Sequence, residues 1–302
     1  MSALPQSFGH DDRPPFPPVL ALGLGVCAVS TGAIFARMAG EAPSLVIAAY
    51  RVGLAALLLA PPAFWKARAE LRALGRRDLA MAGLAGFFLA LHFATWISSL
   101  DYTSVTNSVV LVNTNPLWVG LLTPLITRER IGRTAKISIG ISVAGGAVIG
   151  YGDIATGPSA LWGDILALMG SVCAAVYILL GRSLRPKLSL IAYITVCYGA
   201  AAVILWTLVL ALGLPFLGFR GDTVAAFWAM ALIPQLVGHT SYNWSLKWFS
   251  ASVIAVSLLG EPVGATILAW ILFGEALTWA KAVGGGLILL AIFMATRQKA
   301  GA

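Results

Sequence analysis

Long apolar stretches, separated by short polar connections, dominate the chain. Most of them approach the roughly 20 residues that an α-helix needs to cross the hydrocarbon core of a bilayer. The pattern predicts an all-α integral membrane protein with ten transmembrane helices, which we number as spans 1 to 10. The spans cover residues 19–37, 44–62, 79–100, 103–127, 134–150, 160–181, 188–212, 224–246, 251–273 and 278–296.

The chain also repeats itself at a shift of about 146 positions. At this shift the apolar segment Leu20–Ala28 aligns with Leu166–Ala174, and the dipeptide Asn115-Pro116 aligns with Glu261-Pro262. Two copies of one five-span unit explain the alignment. Because five is an odd number, the second copy enters the membrane from the opposite side, so the two repeats are inverted. Inverted repeats of this kind are common in secondary transporters.

The predicted organisation is a disordered, proline-rich tail at residues 1–18, a first repeat at 19–150 and a second at 151–297. Hydrophobic residues make up 59% of the chain and the mean hydropathy is +0.88, well above the roughly 45–50% apolar content of soluble domains. Composition therefore supports the membrane assignment.

Lysine and arginine predict the orientation, since short loops that carry them stay cytoplasmic. Alternate connections and both termini hold sixteen of the 20 basic residues, mainly in the loops after spans 2 and 4. Both termini are thus predicted to be cytoplasmic. The net charge of +8 fits contact with anionic headgroups of the lipid bilayer, and no soluble domain is left to bind nucleic acid.

Familiar catalytic and metal-binding patterns are missing. The three cysteines, Cys27, Cys173 and Cys197, all lie in predicted spans, and neither they nor the three histidines show metal-ligand spacing. A glycine-rich phosphate loop that ends in Lys-Ser or Lys-Thr is also absent. The sequence therefore predicts no metal, no cofactor and no enzymatic activity, and transport would be driven by gradients.

Four ionisable residues are prominent because they lie deep inside predicted spans: Arg51 in span 2, His92 in span 3, His239 in span 8 and Glu261 in span 9. An unpartnered charge at the bilayer centre costs about 2.5–3.5 kcal/mol on insertion scales, so such residues are hypotheses for function. Arg51 and Glu261 are predicted to form an intramembrane charge pair or to take part in coupling. His92 and His239 occupy nearly equivalent positions of the two repeats.

The two histidines belong to polar faces. In span 3, His92 and Trp96 follow each other at helical spacing, and in span 8 His239 and Asn243 do the same, with Tyr242 beside them. Such faces line a cavity or hydrogen-bond across packed helices, and both interpretations stay open.

Spans 4 and 9 each contain a proline near their middle. Pro116 and Pro262 predict helix breaks at matching places of the two repeats. Asn115 and Glu261, which precede the prolines, either satisfy backbone groups at the breaks or contact substrate. Spans 5 and 10 carry small-residue stripes, Ser142–Gly150 and Gly284–Gly286, which serve helix packing within the chain or a homodimer equally well.

The ten-span plan, the two inverted copies, Glu261-Pro262 and the run Gly274–Thr278 resemble the drug/metabolite transporter superfamily, in its ten-helix EamA-type branch. The likeness covers residues 19 to 296 and is strongest to bacterial aromatic-amino-acid exporters. The first copy departs from the family run at Arg128–Gly132, so no site role is carried to that loop.

The resemblance implies export of amino acids, especially aromatic or hydrophobic ones, and of related metabolites from the cytoplasm by alternating access, in the bacterial inner membrane. The aromatic exporters' cavity would correspond here to His92, Trp96 and Trp118, while Asn243 and Ser257 are further polar candidates for the substrate. Two alternatives remain: a carrier of sugar nucleotides or other anions, which would need several cations at the midplane, and an integral-membrane enzyme, for which the scattered histidines offer no catalytic cluster.

Overall fold

The computed structural model describes residues 14–103, 105–128, 130–151, 158–273 and 279–296, and these residues form helices and turns with no strand. The run Gly274–Thr278 and residues 1–13 of the predicted tail lie outside them. The end of the tail is not detached from the fold, because Phe16 stacks on Trp244 at 4.4 Å between ring centroids and Pro18 already begins the first helix.

The first repeat consists of eight α-helices and one short π-helical segment. In chain order these are α1 (Pro18–Val29), α2 (Gly32–Met38), α3 (Ser44–Pro62), the π segment Ala63–Ala67, α4 (Arg68–Ala73), α5 (Arg76–Ser99), α6 (Val105–Val112), α7 (Asn115–Ile126) and α8 (Arg133–Tyr151).

The second repeat has seven α-helices and a longer π-helical segment. They are α9 (Pro158–Leu184), α10 (Leu190–Ala211), α11 (Gly221–Met230), the π segment Ala231–His239, α12 (Thr240–Ser245), α13 (Ala251–Leu258), α14 (Gly260–Phe273) and α15 (Trp279–Thr296).

The all-helical prediction is confirmed, and all ten predicted spans fall on helices. Six helical stretches in the described part of the chain are long and apolar enough to cross a bilayer. Large apolar side chains also face outward, among them Leu125 at 76% exposure and Val203 at 67%, as expected where lipid replaces water. The count of ten crossings and the orientation of the termini stay predictions.

Spans 4 and 9 are interrupted in the structure. Span 4 divides into α6 and α7 at the turn of Asn113 and Thr114, and span 9 divides into α13 and α14 at Leu259. Pro116 and Pro262 follow the interruptions and stand in the first turns of α7 and α14. A first-turn amide has no partner within its own helix, so a proline there removes no helical hydrogen bond.

The helix contacts keep the same pattern when the spans of the first repeat and the corresponding spans of the second repeat change places, span 1 with span 6, span 2 with span 7 and so on. Span 2 packs on span 7 through α3 and α10, and span 5 packs on span 10 through α8 and α15. The contact of span 3 with span 6, α5 on α9, has its counterpart in the contact of span 8 with span 1, where the second π segment and α12 lie on α1. Such pairing is typical of a two-fold relation between repeats.

Small residues bring spans 5 and 10 together. A Cβ atom added at Gly145, next to the predicted stripe residue Gly146, would lie 2.7 Å from the carbonyl oxygen of Gly284. Small residues at this point therefore allow the two spans to pack closely inside the chain. Their use in a homodimer stays a prediction.

Candidate functional site

A cavity opens between the two repeats. Its walls come from spans 1, 2, 3, 4, 6, 8 and 9. The structure brings eight of the predicted site residues to this cavity: Arg51, His92, Trp96, Asn115, His239, Tyr242, Asn243 and Glu261.

Arg51 is a fully buried cation that joins the repeats, with only 1% of its surface exposed. Its Nε donates a hydrogen bond of 2.9 Å to Oε1 of Gln235 in span 8. The guanidinium carbon lies 4.0 Å from the ring centroid of Phe93, a cation–π contact. Nη1 has no hydrogen-bond partner, so the side chain is held firmly while part of its donor capacity is unused.

Glu261 lies in the first turn of α14, directly after the break in span 9. Its side chain lines the same cavity as Asn113 and Arg51. The two described charges, of Arg51 and Glu261, nevertheless form no direct ion pair within 4.0 Å. The predicted Arg51–Glu261 pair is thus a juxtaposition of opposite charges on one cavity.

His92 is fixed by a hydrogen bond between spans. Its Nδ1 lies 2.9 Å from the carbonyl oxygen of Gly170 in α9. Because a carbonyl oxygen only accepts, Nδ1 carries the proton, and in the neutral ring Nε2 is then an acceptor. The imidazole also lies parallel to the indole of Trp96, with 6.0 Å between ring centroids. Trp96 itself is 3% exposed, and its Nε1 has no partner.

His239 stands at the end of the π segment Ala231–His239, which contains Pro234. The π-helix has i→i+5 bonding, and such insertions occur frequently at functional sites. The imidazole lies among aromatic rings, 5.2 Å from Phe93 and 6.1 Å from Tyr177 between centroids. Its Nδ1 has no hydrogen-bond partner.

Asn243 is held on three sides. Its Oδ1 accepts a 2.9 Å hydrogen bond from Tyr177, and its Nδ2 donates at 3.1 Å to Tyr198. Its backbone carbonyl accepts from Nε of Arg185 at 2.8 Å. Burial lowers the pKa of Arg185 to about 10, so it remains charged at neutral pH. Asn243 thus braces spans 6, 7 and 8 against one another at the cavity wall.

Two further predicted residues lie away from the cavity lining. Ser257 is buried, and its Oγ donates to the carbonyl of Val253 in its own helix at 2.8 Å. Trp118 packs half-buried against the core, and its Nε1 has no partner. The prolines Pro116 and Pro262 do not line the cavity either; their effect is on the helix ends described above.

Among the ten lining residues that sequence reasoning missed, three are polar or aromatic: Phe93, Asn113 and Tyr177. Phe93 could have been considered because it directly follows His92 in the sequence. The structure shows that its ring contacts Arg51. Asn113 stands two positions before Asn115, but the sequence does not show that its side chain lines the cavity. Tyr177 lies in span 6 and belongs to none of the predicted polar faces.

Several buried polar atoms around the cavity have no hydrogen-bond partner, which is costly unless a ligand or water meets them. They are Nη1 of Arg51, Nε1 of Trp96, Oδ1 of Asn115, Nδ1 of His239 and the hydroxyl of Tyr242. Within the described residues, no three metal-ligating side chains come together. The arrangement can bind a small organic molecule with both polar and aromatic parts.

The comparisons with known proteins agree on the class. The model of the EamA-like transporter family matches residues 16–151 and again residues 161–297. The Bacillus subtilis protein YyaM, an uncharacterized transporter, is 25% identical over 289 residues, covering 92% of both chains. An uncharacterized transporter of Archaeoglobus fulgidus is 25% identical over 232 residues, 76% of this chain and 80% of its own.

A protein of known crystal structure superimposes with a TM-score of 0.74 at 20% identity, covering 92% of this chain and 96% of that one. At this identity the likeness bears on the fold alone. The two family matches together span most of the sequence, on the helices that build the cavity. The chain is therefore a membrane protein that belongs to the EamA-like transporter family.

Proposed function

We propose that this protein exports amino acids, with a preference for aromatic and hydrophobic side chains, from the cytoplasm by alternating access. The observation that carries the proposal is the composition of the cavity, which combines one cation, Arg51, one carboxylate, Glu261, and the aromatic rings of Phe93, Trp96 and Tyr177. A free amino acid has a cation, an anion and a side chain, and an aromatic side chain stacks on such rings.

An anionic substrate such as a sugar nucleotide fits this composition poorly. A pyrophosphate would be expected to meet several cationic groups, since each charge buried in the membrane requires a partner. Arg51 is the one lysine or arginine on the described cavity lining, and Glu261 would repel the second phosphate. The two opposite charges on one cavity therefore favour a zwitterionic substrate.

Alternating access is supported by the symmetric packing of the spans and by the two family matches, one in each half. In an inverted repeat each half can adopt the conformation of the other, and the cavity then opens to the opposite face. We place both termini in the cytoplasm and the protein in the bacterial inner membrane, on the strength of the basic loops.

Uptake into liposomes that contain the purified protein tests the proposal. Labelled L-phenylalanine should exchange against unlabelled L-phenylalanine on the inside, L-threonine should exchange more slowly, and UDP-glucose should not exchange. Trp96→Ala should reduce phenylalanine exchange more than threonine exchange, by up to about tenfold, because the lost stacking contact is worth roughly 0.5–1.5 kcal/mol. Exchange of UDP-glucose without exchange of any amino acid would refute the assignment.

A further inference from the structure

The unpartnered polar atoms of the cavity divide by chemistry into two groups. The donor end consists of Arg51 and Trp96, with Nη1 and Nε1 unpartnered. The two side chains are neighbours, because the guanidinium carbon lies 5.9 Å from the Trp96 ring centroid. Both would touch a side chain added at Gly32, at 3.7 Å. Guanidinium and indole groups can only donate, so this end is suited to a carboxylate.

The acceptor end lies at the breaks in spans 4 and 9. It consists of the Glu261 carboxylate and Oδ1 of Asn115, which has no partner although Asn115 is only 4% exposed. Asn113, Asn115 and Glu261 all line the same cavity, so the two breaks meet there. A carboxylate and an amide oxygen accept hydrogen bonds, and this end is suited to an ammonium group.

We infer that the donor end binds the α-carboxylate of the substrate and the acceptor end binds its α-ammonium group, so that Arg51 and Glu261 together select for a zwitterion. The inference rests on the proposed function and specifies which residues read which part of the amino acid. It also explains why the two charges face one cavity without touching: a direct ion pair would neutralise both and leave neither for the substrate.

Gln235 and Phe93 are positioning residues in this arrangement. Gln235 is fully buried and occupies Nε of Arg51, and Phe93 covers one face of the guanidinium. These contacts fix the direction in which the remaining donors point, and Arg51 does not need to reorganise when the carboxylate arrives. The substrate side chain then lies along the aromatic wall.

The test uses three molecules with the same phenyl group: L-phenylalanine, phenethylamine, which lacks the carboxylate, and 3-phenylpropionate, which lacks the ammonium group. In liposomes, the unsubstituted protein should transport phenylalanine at least about tenfold better than either analogue, since each analogue leaves one charged end unpaired. Arg51→Gln should lower the preference for phenylalanine over phenethylamine and leave the preference over 3-phenylpropionate unchanged. Glu261→Gln should lower the preference for phenylalanine over 3-phenylpropionate and leave the preference over phenethylamine unchanged.

The ratio of two transport rates measured on one variant does not depend on how much of that variant folds. Asn115→Ala removes an acceptor without removing a charge, and it should lower the same preference as Glu261→Gln. Matched controls are Arg72→Gln and Asp101→Asn, which remove charges from exposed positions outside the cavity and should leave all ratios unchanged.

Two outcomes would overturn the inference while leaving amino-acid transport intact. Both charge variants could reduce the transport of all three molecules equally, or both could lower the preference for phenylalanine over the same analogue. Failure of the unsubstituted protein to exchange any amino acid would instead remove the proposed function itself.

Discussion

Each repeat has a histidine at a nearly equivalent position, and the two histidines have different surroundings. His92 and His239 are 147 positions apart, both are 9% exposed, and their rings lie 6.5 Å apart across the cavity. His92 stands on the unbroken helix α5 and is tied to Gly170. His239 ends a π-helical segment, and its Nδ1 has no partner.

The difference shows how a duplicated unit divides its tasks. The span 3 histidine fastens two spans of the wall, α5 and α9, and contributes a stacked ring to the cavity. The span 8 histidine has an unpartnered ring nitrogen that can form a hydrogen bond. It lies on a π-helical segment, where the wider turn changes the directions in which side chains point. Of the two histidines, the one in the first copy is therefore fixed by a neighbouring span, and the one in the second copy keeps an unpartnered nitrogen.

The largest expected effect is on transport by His239 variants. His239→Phe keeps an aromatic ring but removes both nitrogens, and phenylalanine exchange should fall about ten- to hundredfold, because a hydrogen bond to a charged substrate is worth roughly 1.5–3 kcal/mol. His239→Asn, whose amide nitrogen stands near the position of Nδ1, should recover part of the activity. Normal exchange by His239→Phe would show that this histidine only packs.

A smaller effect is expected on the stability of His92 variants. His92→Ala removes the hydrogen bond to Gly170 and the ring that lies over Trp96, and should lower the free energy of unfolding in detergent by about 1–2 kcal/mol. His92→Asn can still donate to Gly170 and should be less affected. The comparison between the repeats fails if His239→Asn loses as much stability as His92→Ala.

The sequence was sufficient for the features that depend on pattern. Apolar runs predicted helices because the backbone must form its own hydrogen bonds inside a bilayer. Charged and ionisable groups are costly in the membrane, which drew attention to Arg51, His92, His239 and Glu261, and all four line the cavity. Proline positions also lay beside the interruptions in spans 4 and 9.

Features that depend on partners far along the chain could not be predicted. Helical spacing places Gln235 on the face of His239, but only the packed structure shows it bound to Arg51, 184 positions away. Ser257 looked free, yet a serine in a helix can return its hydroxyl to the carbonyl one turn earlier, as it does here with Val253. Composition gave no warning of the π segment at Pro234.

The central claim is that one cavity between the repeats holds the substrate and opens to each face in turn. Ala174→Cys tests it directly, because Ala174 lines the cavity and the substitution is small. Cys27, Cys173 and Cys197 are first replaced by alanine, and the same protein with Ala175→Cys, fully buried and away from the cavity lining, is the control.

An impermeant alkylating reagent is applied to right-side-out and to inverted membrane vesicles. We expect the cysteine at position 174 to be labelled in both kinds of vesicle and to be protected by L-phenylalanine in both. The control cysteine should be labelled in neither. Labelling from one face only, or labelling that L-phenylalanine leaves unchanged, would contradict the central claim.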